Sequence, residues 1–152
     1  MKQALAPPFR GAYPSFLAIP TRWMDNDLYG HVNNVTYYAY FDTVVNEHLI
    51  RAGGLDIHVG EALGVVVETG CRFHKPLSFP ETIDAGFRVA HLGRSSVVYE
   101  IALFRQGDDD AAATGRFVHV WVDRERRRPV AVPERIRPVL EALRASPPSP
   151  AS

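Results

Sequence analysis

The chain reads as an α+β protein, with an antiparallel sheet of about five strands wrapped around one long central helix and a short C-terminal helix after it. Three observations predict this. A single long stretch, from Asn34 to about Ala52, carries apolar residues at helical spacing. Four later segments alternate apolar and polar residues with a period of two. The connectors KPLSFPE, HLGRSS and QGDDDAA are short and rich in turn residues, so consecutive strands are expected to pair antiparallel as a meander.

Taken in order, residues 1–15 include Pro7, Pro8 and Pro14 and read as a mobile N-terminal segment. Residues 16–145 read as one domain, and 146–152, rich in proline and serine, as a disordered tail. FLAIPTRW is a short strand that Pro20 confines to an edge or a bend. In the long helix, Val35, Tyr38, Val45 and Leu49 form one stripe and Tyr37, Phe41, Val44 and His48 a second, as for a helix covered on most sides. Asn34 is the expected N-cap, and Gly53 with Gly54 the stop.

In LGVVVETGCRFH, the residues Val65, Val67, Thr69, Cys71 and Phe73 are expected on one face. Ile83, Ala85, Phe87 and Val89 share a face of the next strand, and Val97, Tyr99, Ile101 and Leu103 a face of the third. GRFVHVWVD sets Phe117, His119 and Trp121 against Val118, Val120 and Val122. The last helix, from about Glu134 to Leu143, follows Pro133, and Pro138 keeps it short or kinks it. Only one long apolar helix exists to cover the sheet, so it must lie across the concave face.

Composition narrows the function. Of 152 residues, 46% are hydrophobic and 22% charged, which suits a soluble globular protein. Seventeen basic residues balance seventeen acidic ones, so no overall field draws the chain to nucleic acid or to an anionic membrane. Any anionic partner must be met by a local patch. The single cysteine, Cys71, excludes an internal disulfide and a multi-cysteine metal site, and reads as strand packing in a reducing compartment. No metal or cofactor is implied. Pro7 and Pro8 interrupt any signal-peptide core, and no run approaches the ~18 apolar residues of a membrane span. The cytoplasm is the expected location.

The most specific pattern is W-x-D-x-D-x-x-G-H-V-N-N-x-x-Y, carried by Trp23, Asp25, Asp27, Gly30, His31, Val32, Asn33, Asn34 and Tyr37. Softer agreement comes from Phe73, Lys75 and Pro76, from Gly93, Arg94, Ser95 and Ser96, and from Pro133 before the last helix. Over roughly residues 16 to 143 the chain resembles the hotdog-fold acyl-CoA thioesterases of the 4-hydroxybenzoyl-CoA thioesterase type. The resemblance implies hydrolysis of an acyl-CoA or related thioester, with Asp27 as the catalytic carboxylate and the backbone N–H of Asn34 as oxyanion donor. Helix N-termini suit that task, because their unpaired N–H groups and partial positive charge stabilise a developing oxyanion. The acid would attack the thioester carbon or deprotonate a water.

Asp25 is a possible support, although an acid just before a helix is more often a cap or turn former. His31 would orient water or substrate, or merely satisfy local backbone groups. Gly30 suits a loop that folds back on the helix and lets substrate approach the backbone. Tyr37 would wall the acyl site, or simply pack the core. Asp42 and Glu47 lie where another branch of hotdog thioesterases carries its acid, but the intact motif favours Asp27. Glu68 reads as a solvated strand residue. Lys75 and Arg94 are the chosen grips for a CoA phosphate, with Arg124 and Arg126 to Arg128 as a second basic cluster.

Two other classes compete. Hotdog hydratases that add water to enoyl-CoA place an aspartate five residues before the histidine with N-P between them; here Asn26 stands five before His31 and Asp27 only four before. A non-catalytic acyl-CoA-binding subunit would have lost the acid, and Asp27 is present. The resemblance also implies a homodimer or homotetramer with substrate at the subunit interface, and pairing would protect an open sheet edge.

Overall fold

Asn33, not Asn34, caps the long helix. Its side-chain oxygen accepts the Val35 N–H at 3.0 Å and its carbonyl the Thr36 N–H at 2.9 Å, so α1 begins at Asn34 and runs to Arg51. In this computed structural model, which describes residues 6–144, α1 packs across one face of a five-stranded sheet. The expectations for residues 1–5 and for the 146–152 tail lie outside the described residues.

The strands are β1 (Ser15–Pro20), β2 (Ala62–Phe73), β3 (Thr82–Leu92), β4 (Ser96–Arg105) and β5 (Ala113–Asp123), in the order β1-β3-β4-β5-β2 with every neighbour antiparallel. Only β3, β4 and β5 form the expected meander. β2 pairs with β5 on the far side instead of with β3. The reason lies in the 74–81 connector, which does not turn back on itself. His74 and Lys75 N–H groups bind the Ala112 carbonyl at 2.8 and 3.1 Å, and the buried Leu77 offers its carbonyl to Val32 N–H at 2.8 Å. The segment therefore crosses the mouth of α1 before β3 starts.

The inner face of the sheet follows the period-two pattern in β3, β4 and β5. Ile83, Ala85, Phe87, Val89, Val97, Tyr99, Ile101, Leu103, Phe117, His119 and Trp121 are all buried there. β2 departs from it, because a bulge between Val66 and Glu68 inserts Val67 and reverses the alternation. Gly64 and Val66 thus share the face of Trp121 and His119, while Thr69 and Cys71 line up with Phe117 and Gly115. Val65 and Val67 do not.

The helix is also less enclosed than its two stripes suggest. Tyr37, Tyr40, Phe41, Val44, Val45 and Leu49 are buried, but Val35 is 70% exposed and Ala39, Asp42 and Thr43 face outward. After Arg51 the chain stops as expected, with Gly54 at φ 66° and the Leu55 N–H bonded to the Leu49 carbonyl. The last helix, α2, is confined to Arg137–Glu141, with Pro138 in its first turn.

Residues 6–14 have fixed partners, which a mobile segment would lack. Tyr13 packs with Ala102, Phe104 and Ala111 on the outer face of β4, and Arg10 reaches Asp84 at 2.9 Å while stacking over Phe104 at 4.7 Å. Arg88 and Glu100 pair at 2.8 Å beside Tyr13. This strap explains why β4 is buried on both faces.

Candidate active site

Asp25 and Asp27 lie two residues apart and have opposite environments. A 3-10 turn at Trp23–Asp25 directs Asp25 inward, where it is 3% exposed. Its Oδ2 accepts the Arg22 N–H and the Tyr40 hydroxyl, both at 2.8 Å, and its carbonyl accepts the Asn33 N–H at 2.9 Å. Burial first, and then this carboxylate, push the Tyr40 hydroxyl well above its ordinary pKa, so Tyr40 stays a donor. Asp25 fastens the loop to α1.

Asp27 opens the turn Asp27–Gly30. Its Oδ1 accepts the Tyr29 N–H at 2.8 Å, its carbonyl accepts the Gly30 N–H at 3.1 Å, and its own N–H reaches the His31 carbonyl at 3.0 Å. One oxygen is anchored. Oδ2 has no partner among the described residues. Gly30 sits at φ 87°, a conformation that costs a residue with a Cβ about 1–2 kcal/mol, and a side chain there would meet open space. It shapes the turn.

Asn33 satisfies the second and third N–H groups of the helix start, Val35 and Thr36. The Asn34 N–H has no acceptor among the described residues, at the positive end of an 18-residue helix. The Asn34 N–H is thus left unpaired, and Asn33 rather than Asn34 performs the capping. His31 is exposed and only its carbonyl is engaged. Tyr37 is 3% exposed, edge-on to Phe73 at 4.9 Å; burial raises its pKa and a backbone hydrogen bond from Leu77 opposes that shift. Asp42 bonds to Asn46 on the outward face of α1, and Glu68 pairs with Arg116.

Two positioning residues escaped sequence reasoning. Asn26 accepts the Phe79 N–H at 3.0 Å, and Ser78 donates to the Gly30 carbonyl at 2.8 Å. Together they tie the Asp27 loop to the connector before β3. The only available signal was an asparagine between two acids, and its distant partner had no sequence mark.

Lys75 and Arg94 are not brought together. Lys75 is paired with Asp108 at 3.3 Å beside the start of β3, whereas Arg94 lies in the turn after its end. The 11 residues of β3 separate them by roughly 35 Å. Cations gather elsewhere. A cavity of about 940 Å³ opens near Ala62, walled by Leu55, Val130 and Ile136 and carrying Arg126, Arg128 and Arg135. Its acids are Asp56, Glu61 and Asp123; Asp123 accepts the N–H groups of Glu125 and Arg126, and Asp56 those of His58 and Val59, which hold the Asp56 carboxyl below its usual range. The Arg126 and Arg128 side chains have no ion-pair partner among the described residues.

Among the described residues no cluster of histidine, cysteine or acidic side chains could hold a metal ion, and no helix is long and apolar enough to cross a membrane. Burial raises the Cys71 thiol to about 12, which keeps it protonated and unreactive.

A five-stranded antiparallel sheet with one long helix packed across a face and a short helix after it is the hotdog thioesterase-like fold. The chain belongs to the thioesterase-like superfamily, which matches residues 21–140. It is similar to the PA5185 protein of Pseudomonas aeruginosa strain PAO1, with 57% identity over 91% of this chain and 97% of that one and a TM-score of 0.90. A Thermus thermophilus thioesterase complexed with coenzyme A and zinc is 29% identical over 91% of this chain and all (100%) of its own, with a TM-score of 0.73. The Pseudomonas aeruginosa PA2801 protein is 30% identical over 84% and 96% of the two chains, with a TM-score of 0.75. No curated protein matches the sequence. The superfamily and these neighbours support thioester hydrolysis as the general chemistry.

Proposed function

We propose that the protein hydrolyses acyl-CoA thioesters to the free acid and CoA, with Asp27 as the reacting carboxylate and the Asn34 N–H as oxyanion donor. The observation that carries this reading is the pairing of one anchored carboxylate, free at Oδ2, with one unpaired N–H at the start of α1. A thioester carbonyl at that N–H is polarised as it becomes tetrahedral. Asp27 then attacks the carbon to form an anhydride that water opens, or takes a proton from an attacking water. In both routes the C–S bond breaks and thiolate leaves. A thiolate needs no dedicated acid to expel it, which suits so small a constellation.

The reading also places the active form as a homodimer or a dimer of dimers. β2 is an open edge of 12 residues, and the other edge, β1, has six and ends in proline. Pairing two β2 strands antiparallel sets the Ala62 end of one against the Phe73 end of the other. The arginine cavity of one chain then stands beside the Asp27 loop of its partner. Arg126, Arg128 and Arg135 are better placed for the CoA phosphates than Lys75 with Arg94.

A panel of acyl-CoAs graded from short to long and including aryl acids tests the reading by thiol release. Thiol from at least one member is expected. Water addition to an enoyl-CoA without thiol release would replace it with the hydratase, and binding without either would leave an acyl-CoA-binding subunit.

A further inference from the structure

Among the described residues one that is not glycine, Arg127, has a positive φ, at 58°. In that region the Cβ of an L-residue crowds the following carbonyl oxygen, so tight turns favour glycine or asparagine there. Arg127 closes the turn after β5. Its N–H bonds to the Asp123 carbonyl at 2.8 Å, and the Asp123 N–H bonds to the Arg128 carbonyl at 2.8 Å. Glycine would suit this backbone better than arginine does. Strained residues of this kind cluster at ligand clamps and active sites, where the side chain is worth the strain.

The charge of the turn is as uneven as its backbone. Four of the six residues from Asp123 to Arg128 are arginines. Arg124 helps build the wall of the neighbouring cavity, donating to the carbonyls of Ile57 at 2.7 Å and Gly60 at 2.5 Å. The side chains of Arg126, Arg127 and Arg128 are exposed and form no ion pair among the described residues. The nearby acids do not answer them. Asp123 and Asp56 turn their carboxylates onto backbone N–H groups, and Glu61 and Glu125 form no ion pair among the described residues. Consecutive guanidinium groups repel one another, so an external anion relieves the turn.

The layout selects the ligand. Arg126 and Arg128 line the cavity, and Arg127 stands between them in the chain but outside the lining. A ligand that meets all three carries negative charge at two places, one within the cavity and one at its rim. The apolar walls Leu55, Val130 and Ile136 receive an uncharged ring beside those charges.

We propose that Arg127 is an anion-binding residue, kept at a strained position so that its guanidinium meets a phosphate at the cavity rim while Arg126 and Arg128 meet phosphate inside. The ligand class is a nucleoside with phosphates at two positions, as in the nucleotide half of CoA. The choice of CoA rests on the thioesterase reading; the anion site does not.

Calorimetric titration of the full chain with CoA, and with the adenosine bisphosphate that forms its nucleotide half, tests this without turnover. Arg127→Gly relieves the backbone, so its melting temperature should rise by about 2–4 °C while its affinity for CoA falls about tenfold. Arg127→Asn, also at ease in this conformation, should lose the same affinity. Arg127→Lys keeps the charge and should retain most of the affinity, a rescue that a turn-shaping role would not show. Unchanged CoA affinity in both uncharged variants overturns the proposal, and so does an equal loss in Arg127→Lys. Inorganic phosphate binding as tightly as the bisphosphate overturns the nucleotide assignment. No thiol from any acyl-CoA defeats the thioesterase reading alone; thiol release by a wild type that binds neither CoA nor the bisphosphate defeats this proposal alone.

Discussion

The two ends of β2 carry two kinds of candidate site, one for the proposed reaction and one for the proposed grip on phosphate. At the Phe73 end, the Asp27 loop is held by backbone and short side chains: Asp25 to Tyr40, Asn26 to Phe79, Ser78 to Gly30 and Val32 to Leu77. At the Ala62 end, the cavity is defined by long arginine side chains over apolar walls. The first arrangement has little freedom left and presents one carboxylate oxygen and one N–H. The second adapts. Reaction needs atoms held to fractions of an ångström, whereas gripping a phosphate tolerates guanidinium groups that move.

Changes at the two ends should therefore have different signatures. The largest effect is expected from Asp27→Asn, which keeps the Oδ1 acceptor for Tyr29 but removes the charge. The rate of thiol release should fall about 10²- to 10⁴-fold with melting temperature unchanged. Turnover retained within a few-fold would remove Asp27 from the chemistry.

Acid has the next largest effect. His119, buried on β5, has a folded pKa of about 4 against an ordinary 6.5, because burial disfavours its charged form. A depressed pKa means that the unfolded chain binds the extra proton first. The stability is thus complete above about pH 6.5 and lost as pH falls toward 4, by about 3 kcal/mol in all. His48, half-buried against Phe87 and also shifted down, adds to the loss with the same sign. Denaturant titrations from pH 7 to 4 should show the slope, and His119→Phe should flatten it; an equal slope in that variant would refute the assignment.

Replacing Arg126 and Arg128 together by alanine should raise KM for acyl-CoA about ten- to a hundredfold with kcat little changed, and added salt should shrink the difference. A fall in kcat alone would move these residues out of binding. The smallest effect belongs to Asn33→Ala. Loss of the cap costs about 1 kcal/mol, seen as a melting temperature lower by about 2–4 °C. If Asn34 instead capped the helix, Asn34→Ala would show the loss and Asn33→Ala would not.

Much of this was legible in the chain. The 3.6-residue period from Asn34 and the period-two runs around Phe87, Ile101 and Phe117 located the helix and three strands, because each reflects which side of an element meets water. The acid–glycine–histidine pattern led to Asp27 through its resemblance to a known family, and the pattern is compact enough to read: an aspartate, a glycine and a helix start lie within eight residues.

What stayed hidden depended on partners distant in sequence. Nothing near Val67 announces a bulge, which exists because β2 must fit β5. The wetness of β4's outer face was decided by Arg10 and Tyr13, more than 80 residues away in the chain. Asn33 and Asn34 are chemically identical, and the Asp25 carbonyl on Asn33 N–H selects between them. Local periodicity and turn chemistry are properties of neighbouring residues, so the chain alone determined the elements and singled out Asp27 as the acid to test. Strand order, the covered outer face and the arginine cavity arise from contacts between distant segments, and only packing in three dimensions could decide them.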